Sequence, residues 1–135
     1  MSVRSHWIVW FLAIVILVGA DERADAAPCR FPPVTGTVTD PNREPPCPRC
    51  AGKRGLDYRI GGDVEGRAAA SGRVEFVGAV GGIRSGVVRR TTGWRPTYGR
   101  LVSSTNQRGD SVLAGTPIGR ASRTFYFGLR IGDDY

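Results

Sequence analysis

From Val34 onward, glycine-centred turn signals recur roughly every eight to twelve residues, and no stretch there longer than about ten residues has helical periodicity. Segments this short are marginal as helices but suit strands joined by tight turns. The spacing predicts strands at Val34–Thr39, Leu56–Ile60, Val64–Ala70, Arg73–Val77, Ile83–Arg90 and Thr97–Val102. Two shorter ones follow, at Ser111–Ala114 and about Ile118–Gly119. The last runs from Arg123 to Ile131, with Phe125, Phe127 and Leu129 on one face and Thr124, Tyr126, Gly128 and Arg130 on the other. Turns are expected at Gly61–Gly62, Ser71–Gly72, Gly81–Gly82, Gly93–Trp94 and Asn106–Asp110. The fold class is therefore all-β: a compact antiparallel β-sandwich or barrel-sandwich hybrid.

The N-terminus obeys a different rule. Arg4 and His6 precede an unbroken apolar run, Trp7–Val18, followed by Gly19, Ala20 and the polar stretch Asp21–Asp25. Charged start, apolar run and small residues are the layout of a secretory signal peptide. At about 1.5 Å per residue the run reaches roughly 18 Å as a helix, short of a hydrocarbon core of about 30 Å. Residues 1–26 are read as the signal peptide, an uncleaved anchor being the alternative. Residues 27–33 are a proline-containing linker, and 34–135 the folded domain.

A chain beginning at Ala27 keeps seventeen basic and nine acidic residues, a net charge of +8. That excess favours peptidoglycan or another anionic wall polymer, and export argues against nucleic acid. Membrane contact is expected only if the N-terminal segment stays uncleaved. The expected location is secreted or extracytoplasmic, associated with the wall or the membrane. Cys29, Cys47 and Cys50 are three in number, so one disulfide leaves one thiol over. Cys47-Pro48-Arg49-Cys50 lies in a proline-rich loop rather than at a strand-to-helix junction, which favours a structural disulfide, within the loop or to Cys29, over redox exchange.

Five segments then fall in a recognisable order: Lys53-Arg54-Gly55-Leu56-Asp57, Ala70-Ser71-Gly72-Arg73-Val74, Tyr98-Gly99-Arg100-Leu101, Gly109–Gly119 and Phe125–Arg130. Together they resemble the lysostaphin/LytM-type zinc metalloendopeptidases, which cut peptide bridges in bacterial peptidoglycan. That family reads HxGxD, AxxxGxV, YxHL, GDxVxxGxxIG and HLHFELR at these places. The resemblance covers about residues 33 to 131, with Gly109–Gly119 its best match. It implies the lysostaphin-like peptidase fold, and a zinc held at the positions of Lys53, Asp57 and Tyr126. Thr124 and Arg100 stand where the family places the histidines that act on the bound water and the oxyanion.

Of these five positions only Asp57 keeps the family's residue type. A protonated lysine has no lone pair for zinc, a phenol is a poor substitute for imidazole, and arginine has no accessible neutral form. His6, the chain's single histidine, lies in the signal segment. Zinc is thus expected of the family but unsupported by these residues, and no cofactor is expected. Serine–histidine and cysteine–histidine nucleophile pairs are excluded for the same reason. A carboxylate pair among Asp57, Glu65, Glu75 and Asp110 stays open, as does a structural metal site from Cys47, Cys50, Asp57 and Cys29. The simpler reading of Asp57 is an ion pair with Lys53, four residues back.

A degenerate groove carrying Lys53, Asp57, Arg100, Thr124 and Tyr126 suits the carboxylates of a wall peptide, with Trp94, Tyr98 and Tyr135 as possible stacking surface. The expected function is an exported, non-catalytic peptidoglycan-endopeptidase-like module that binds cell wall or regulates wall hydrolases. One alternative is a metalloendopeptidase with an atypical site. Another is a structural secreted β domain that binds a protein partner. A biotinyl or lipoyl carrier is set aside, because Lys53-Arg54-Gly55 does not resemble a carrier hairpin.

Overall fold

The computed structural model describes residues 31–47, 49–50 and 52–132. The signal segment, Cys29 and Tyr135 lie outside the described residues. Those described form ten strands: β1 Thr37–Asp40, β2 Leu56–Arg59, β3 Val64–Arg67, β4 Gly72–Val80, β5 Ile83–Arg89, β6 Trp94–Gly99, β7 Ser103–Ser104, β8 Ser111–Val112, β9 Pro117–Ala121 and β10 Thr124–Ile131. No helix occurs among them.

Seven strands make one sheet in the order β1-β2-β10-β6-β5-β4-β8, and three make a second in the order β3-β9-β7. Every pairing between these strands is antiparallel. The buried cluster draws Val74, Val88, Tyr98 and Phe125 from the large sheet and Ile118 and Ala121 from the small one. The core is therefore the space between two sheets. Phe125 and Tyr98 are its largest fully buried side chains. The alternation read in the last strand holds: Phe125 is buried and Phe127 packs against the core, while Thr124 is exposed.

Most strand ends differ from expectation by one to three residues, and β6 differs at both ends. The strand expected at Thr97–Val102 starts three residues earlier, at Trp94, and contains Pro96. Pro96 has no N–H to give, and it sits just beyond Thr97, where the β5–β6 pairing ends. The strand stops at Gly99 because Arg100 adopts a left-handed backbone, φ 62°. The chain then runs into β7, two serines with no apolar alternation to announce them.

Glycine permits the closest approach in the small sheet. A Cβ at Gly119 would fall 2.4 Å from the carbonyl oxygen of Ser103 on the neighbouring strand β7. Gly119→Ala is expected to destabilise the domain by about 1–3 kcal/mol, through forced separation of β7 and β9. Thermal melting of the variant checks this, and an unchanged midpoint would mean that β7 yields freely.

Candidate functional site

The site begins with strand register. On the large sheet Tyr126 of β10 sits directly opposite Asp57 of β2 on one side and Gly99 of β6 on the other. Directly opposed residues share a face, so Tyr126 and Asp57 both lie on the outer face, away from Phe125. Their neighbours Tyr58 and Phe125 meet on the inner face, ring centroids 6.2 Å apart. β1 adds Asp40, which pairs with Asp57 across a bulge.

Lys53 reaches this face from a loop. Backbone bonds in both directions between Arg43 and Lys53, 2.8 and 2.9 Å, hold that loop beside the β1 end. The Lys53 ammonium then donates a hydrogen bond to the Asp57 carboxylate and lies 3.4 Å from Asp40 Oδ2. Its side chain is 21% exposed and that of Asp57 16% exposed, so the pair is largely withdrawn from water. The Asp57 hydrogen bond and charge, with the charge of Asp40, raise the Lys53 pKa above its ordinary 10.5, outweighing the opposing effect of burial. Asp40 is held below the usual carboxylate range, chiefly by its hydrogen bond from Arg43.

Tyr126 lies down on the sheet. A Cβ at Gly99 would come 3.1 Å from its ring, so this glycine leaves the space that the ring fills. Its hydroxyl donates to the carbonyl of Arg54 at 2.9 Å, and the Lys53 ammonium stands 5.9 Å from the ring centroid. That places an ammonium over an aromatic face, an attractive arrangement. Arg100 projects from the end of β6, with Nε 3.7 Å from Asp57 Oδ1, an ion pair too long to be a hydrogen bond. Asp57 Oδ1 is buried and has no hydrogen-bond partner.

Of the five groove residues expected from the sequence, Lys53, Asp57, Tyr126 and Arg100 come together. Thr124 lies on the same face as Tyr126, two residues away and opposite Arg59, at the exposed end of β10. Asp40 was missed, because only the long-range β1–β2 pairing brings it to Lys53. A cavity of about 300 Å³ opens beside these residues, lined by Lys53, Arg100, Tyr126 and Ser85 and walled by Val80 and Ile83. The last two are 66% and 48% exposed at the tip of the β4–β5 hairpin. Trp94 sits half-buried at the far end of β6, and Tyr98 is wholly in the core, its hydroxyl accepting a bond from the Ala69 N–H at 2.9 Å. Tyr98 is therefore not part of a ligand surface.

A zinc ion does not fit this donor set. Lys53 is held in its protonated form, one Asp57 oxygen accepts from that ammonium, and the Tyr126 hydroxyl gives its proton to a backbone carbonyl. Among the described residues no three His, Cys, Asp or Glu side chains cluster in a way that could hold a metal. Cys47 and Cys50 are joined as a disulfide, which uses both thiols and removes the cysteine–aspartate metal site left open by the sequence. The other carboxylates are engaged separately: Glu65 with Arg67, Glu75 with Arg95, and Asp110 with the Gln107 N–H.

The two-sheet architecture is that of the lysostaphin/LytM-type peptidases. The chain is similar to Csd3 of Helicobacter pylori, with TM-score 0.68, 23% identity, 76% of this chain covered and 31% of that one. It is likewise similar to the catalytic domain of the antimicrobial peptidase lysostaphin from Staphylococcus simulans, with TM-score 0.64, 17% identity, and 74% and 84% covered. A chain of the SpoIIIAH–SpoIIQ complex matches with TM-score 0.68, 17% identity, and 77% and 93% covered. The chain thus spans under a third of Csd3 but most of the other two. No protein-family model matches it, and neither does any curated protein sequence.

Proposed function

We propose that this chain is an exported, non-catalytic module on a peptidase fold, which binds cell-wall peptides or regulates wall hydrolases through the groove beside Lys53. One observation carries the reading. At the positions where the resemblance expects zinc ligands, Lys53 and Asp57 form an ammonium–carboxylate pair and the Tyr126 phenol donates its proton to the Arg54 carbonyl. The groove offers a guanidinium, a hydroxyl on Ser85 and an apolar wall, a set that suits a carboxylate carried next to a small apolar group. Export is supported by the apolar run at Trp7–Val18 and by the disulfide in the 47–50 loop. A second reading, a protein partner in place of the wall, draws support from the match to a chain of a two-protein complex.

Two measurements on the purified protein test the proposal. Metal analysis is expected to find no stoichiometric zinc, and wall peptides are expected to remain uncut. Retention on isolated peptidoglycan is expected to fall about tenfold when Arg100 and Tyr126 are both replaced by alanine. One equivalent of zinc with peptide cleavage would overturn the non-catalytic reading. Unchanged retention by a variant that still melts cooperatively would remove the groove.

A further inference from the structure

A second concavity lies on the same outer face, at the other end of the strands. Its volume is about 500 Å³, and its lining includes Arg73, Arg89, Arg90 and Arg108 with a single carboxylate, Glu75. Among the described residues, four guanidiniums thus line the cleft against one carboxylate. Glu75 is already engaged by Arg95 at 3.1 Å and, more distantly, by Arg89 at 3.8 Å.

The arginines are held by structure. Arg73 of β4 sits directly opposite Arg89 of β5, and like charges in that relation destabilise a sheet. Two hydrogen-bonded turns close the ends of the cleft. The turn bearing Arg108 is stapled to β4 by Gly109 N to Val74 O and Val74 N to Asp110 O, both 2.8 Å. The turn bearing Arg90 is closed by Arg90 N to Trp94 O at 2.9 Å and Gly93 N to Arg90 O at 3.0 Å. The nearest other carboxylate in sequence, Asp110, accepts from the Gln107 N–H and so caps its own turn. The fold therefore assembles a cationic concavity in which, among the described residues, neither Arg73 nor Arg108 has a carboxylate partner.

We propose that this cleft is a binding site for phosphate groups carried on a polyanion. Guanidinium forks bind the paired oxygens of a phosphate bidentately, and several of them converging match a group that bears more than one charge. The outer-face residues Ser85, beside the groove, and Arg89, in the cleft, are four positions apart on β5, or roughly 13 Å. The two sites are thus separate, and the phosphate site stands whether or not the groove holds a peptide.

The test uses the full 135-residue chain and tripolyphosphate, titrated calorimetrically, with polyglutamate as the carboxylate comparison. Replacing Arg73 and Arg108 together by glutamine is expected to weaken tripolyphosphate binding at least about tenfold. Arg59→Gln with Arg123→Gln removes the same charge elsewhere on the surface and is expected to change it less than about twofold. Equal loss in both double variants, or polyglutamate binding as tight as tripolyphosphate, would overturn the proposal in favour of net charge alone. Phosphatidylglycerol and phosphatidylcholine vesicles separate the sources. If the gain on the anionic vesicles vanishes in the Arg73/Arg108 variant, the phosphate belongs to a lipid headgroup. If that gain persists while tripolyphosphate binding is lost, it belongs to a soluble polymer.

Discussion

Phe125→Ala is expected to lower the folding free energy by about 3–5 kcal/mol, a large part of the roughly 5–15 kcal/mol that holds a domain of this size together. Phe125 is fully buried between the sheets, where its ring meets Tyr58 edge-on and lies close over Gly66 of β3. Gly66 presents no side chain that can swing in, and both neighbouring strands of β10 are hydrogen-bonded in place. The cavity left by truncation cannot collapse cheaply, so the cavity cost adds to the lost transfer energy. Urea unfolding of the two proteins measures the difference. A loss below about 1 kcal/mol would mean that the sheets do not close on each other at this ring.

Lys53→Met is expected to cost about 2 kcal/mol, because it leaves the Asp57 carboxylate withdrawn from water with only Arg100 beside it, at 3.7 Å. Lys53→Met combined with Asp57→Leu is expected to cost less than the two single changes added together, since the pair goes as a unit. A strictly additive double variant would show that the two groups do not interact. The pH dependence has a definite sign. The folded Lys53 pKa is raised, so its contribution is complete below about pH 10.5 and fades as pH climbs through the folded value. Lys53 is the only lysine in the chain, so a lysine-labelled sample gives one side-chain ammonium resonance. Its midpoint is expected above 10.5 in the native protein and to drop on Asp57→Asn. Asp40 works the other way: its lowered pKa contributes above about pH 3.8, and the contribution is lost as pH falls through the folded value.

Much of the candidate site was legible because its signals are local. Lys53 and Asp57 are four residues apart, and their pairing was the simpler reading of the sequence. Tyr126 could be set on the outer face because side chains in a strand alternate with period two, whatever the strand pairs with. Asp40 was not legible, since it joins Lys53 only through the β1–β2 register. The start of β6 at Trp94, with Pro96 inside the strand, was not legible, because a proline fits a strand where a neighbouring strand stops, and that neighbour lies elsewhere in the chain. Nor does spacing reveal that Tyr98, two residues before the left-handed Arg100, faces inward to satisfy the Ala69 N–H.

By itself the sequence determined that the chain would be all-β, which side of the last strand would be apolar, and that only Asp57 among the expected zinc ligands would remain a ligand type. These follow from periodicity and side-chain chemistry, which need no partner. Tertiary structure alone decided that the Tyr126 hydroxyl turns to Arg54, that Asp40 and Asp57 flank one ammonium, and that four arginines from two strands and two turns meet in one cleft. Each of these depends on the register between distant strands, and register is set by burying whole faces together, a condition that no local segment carries.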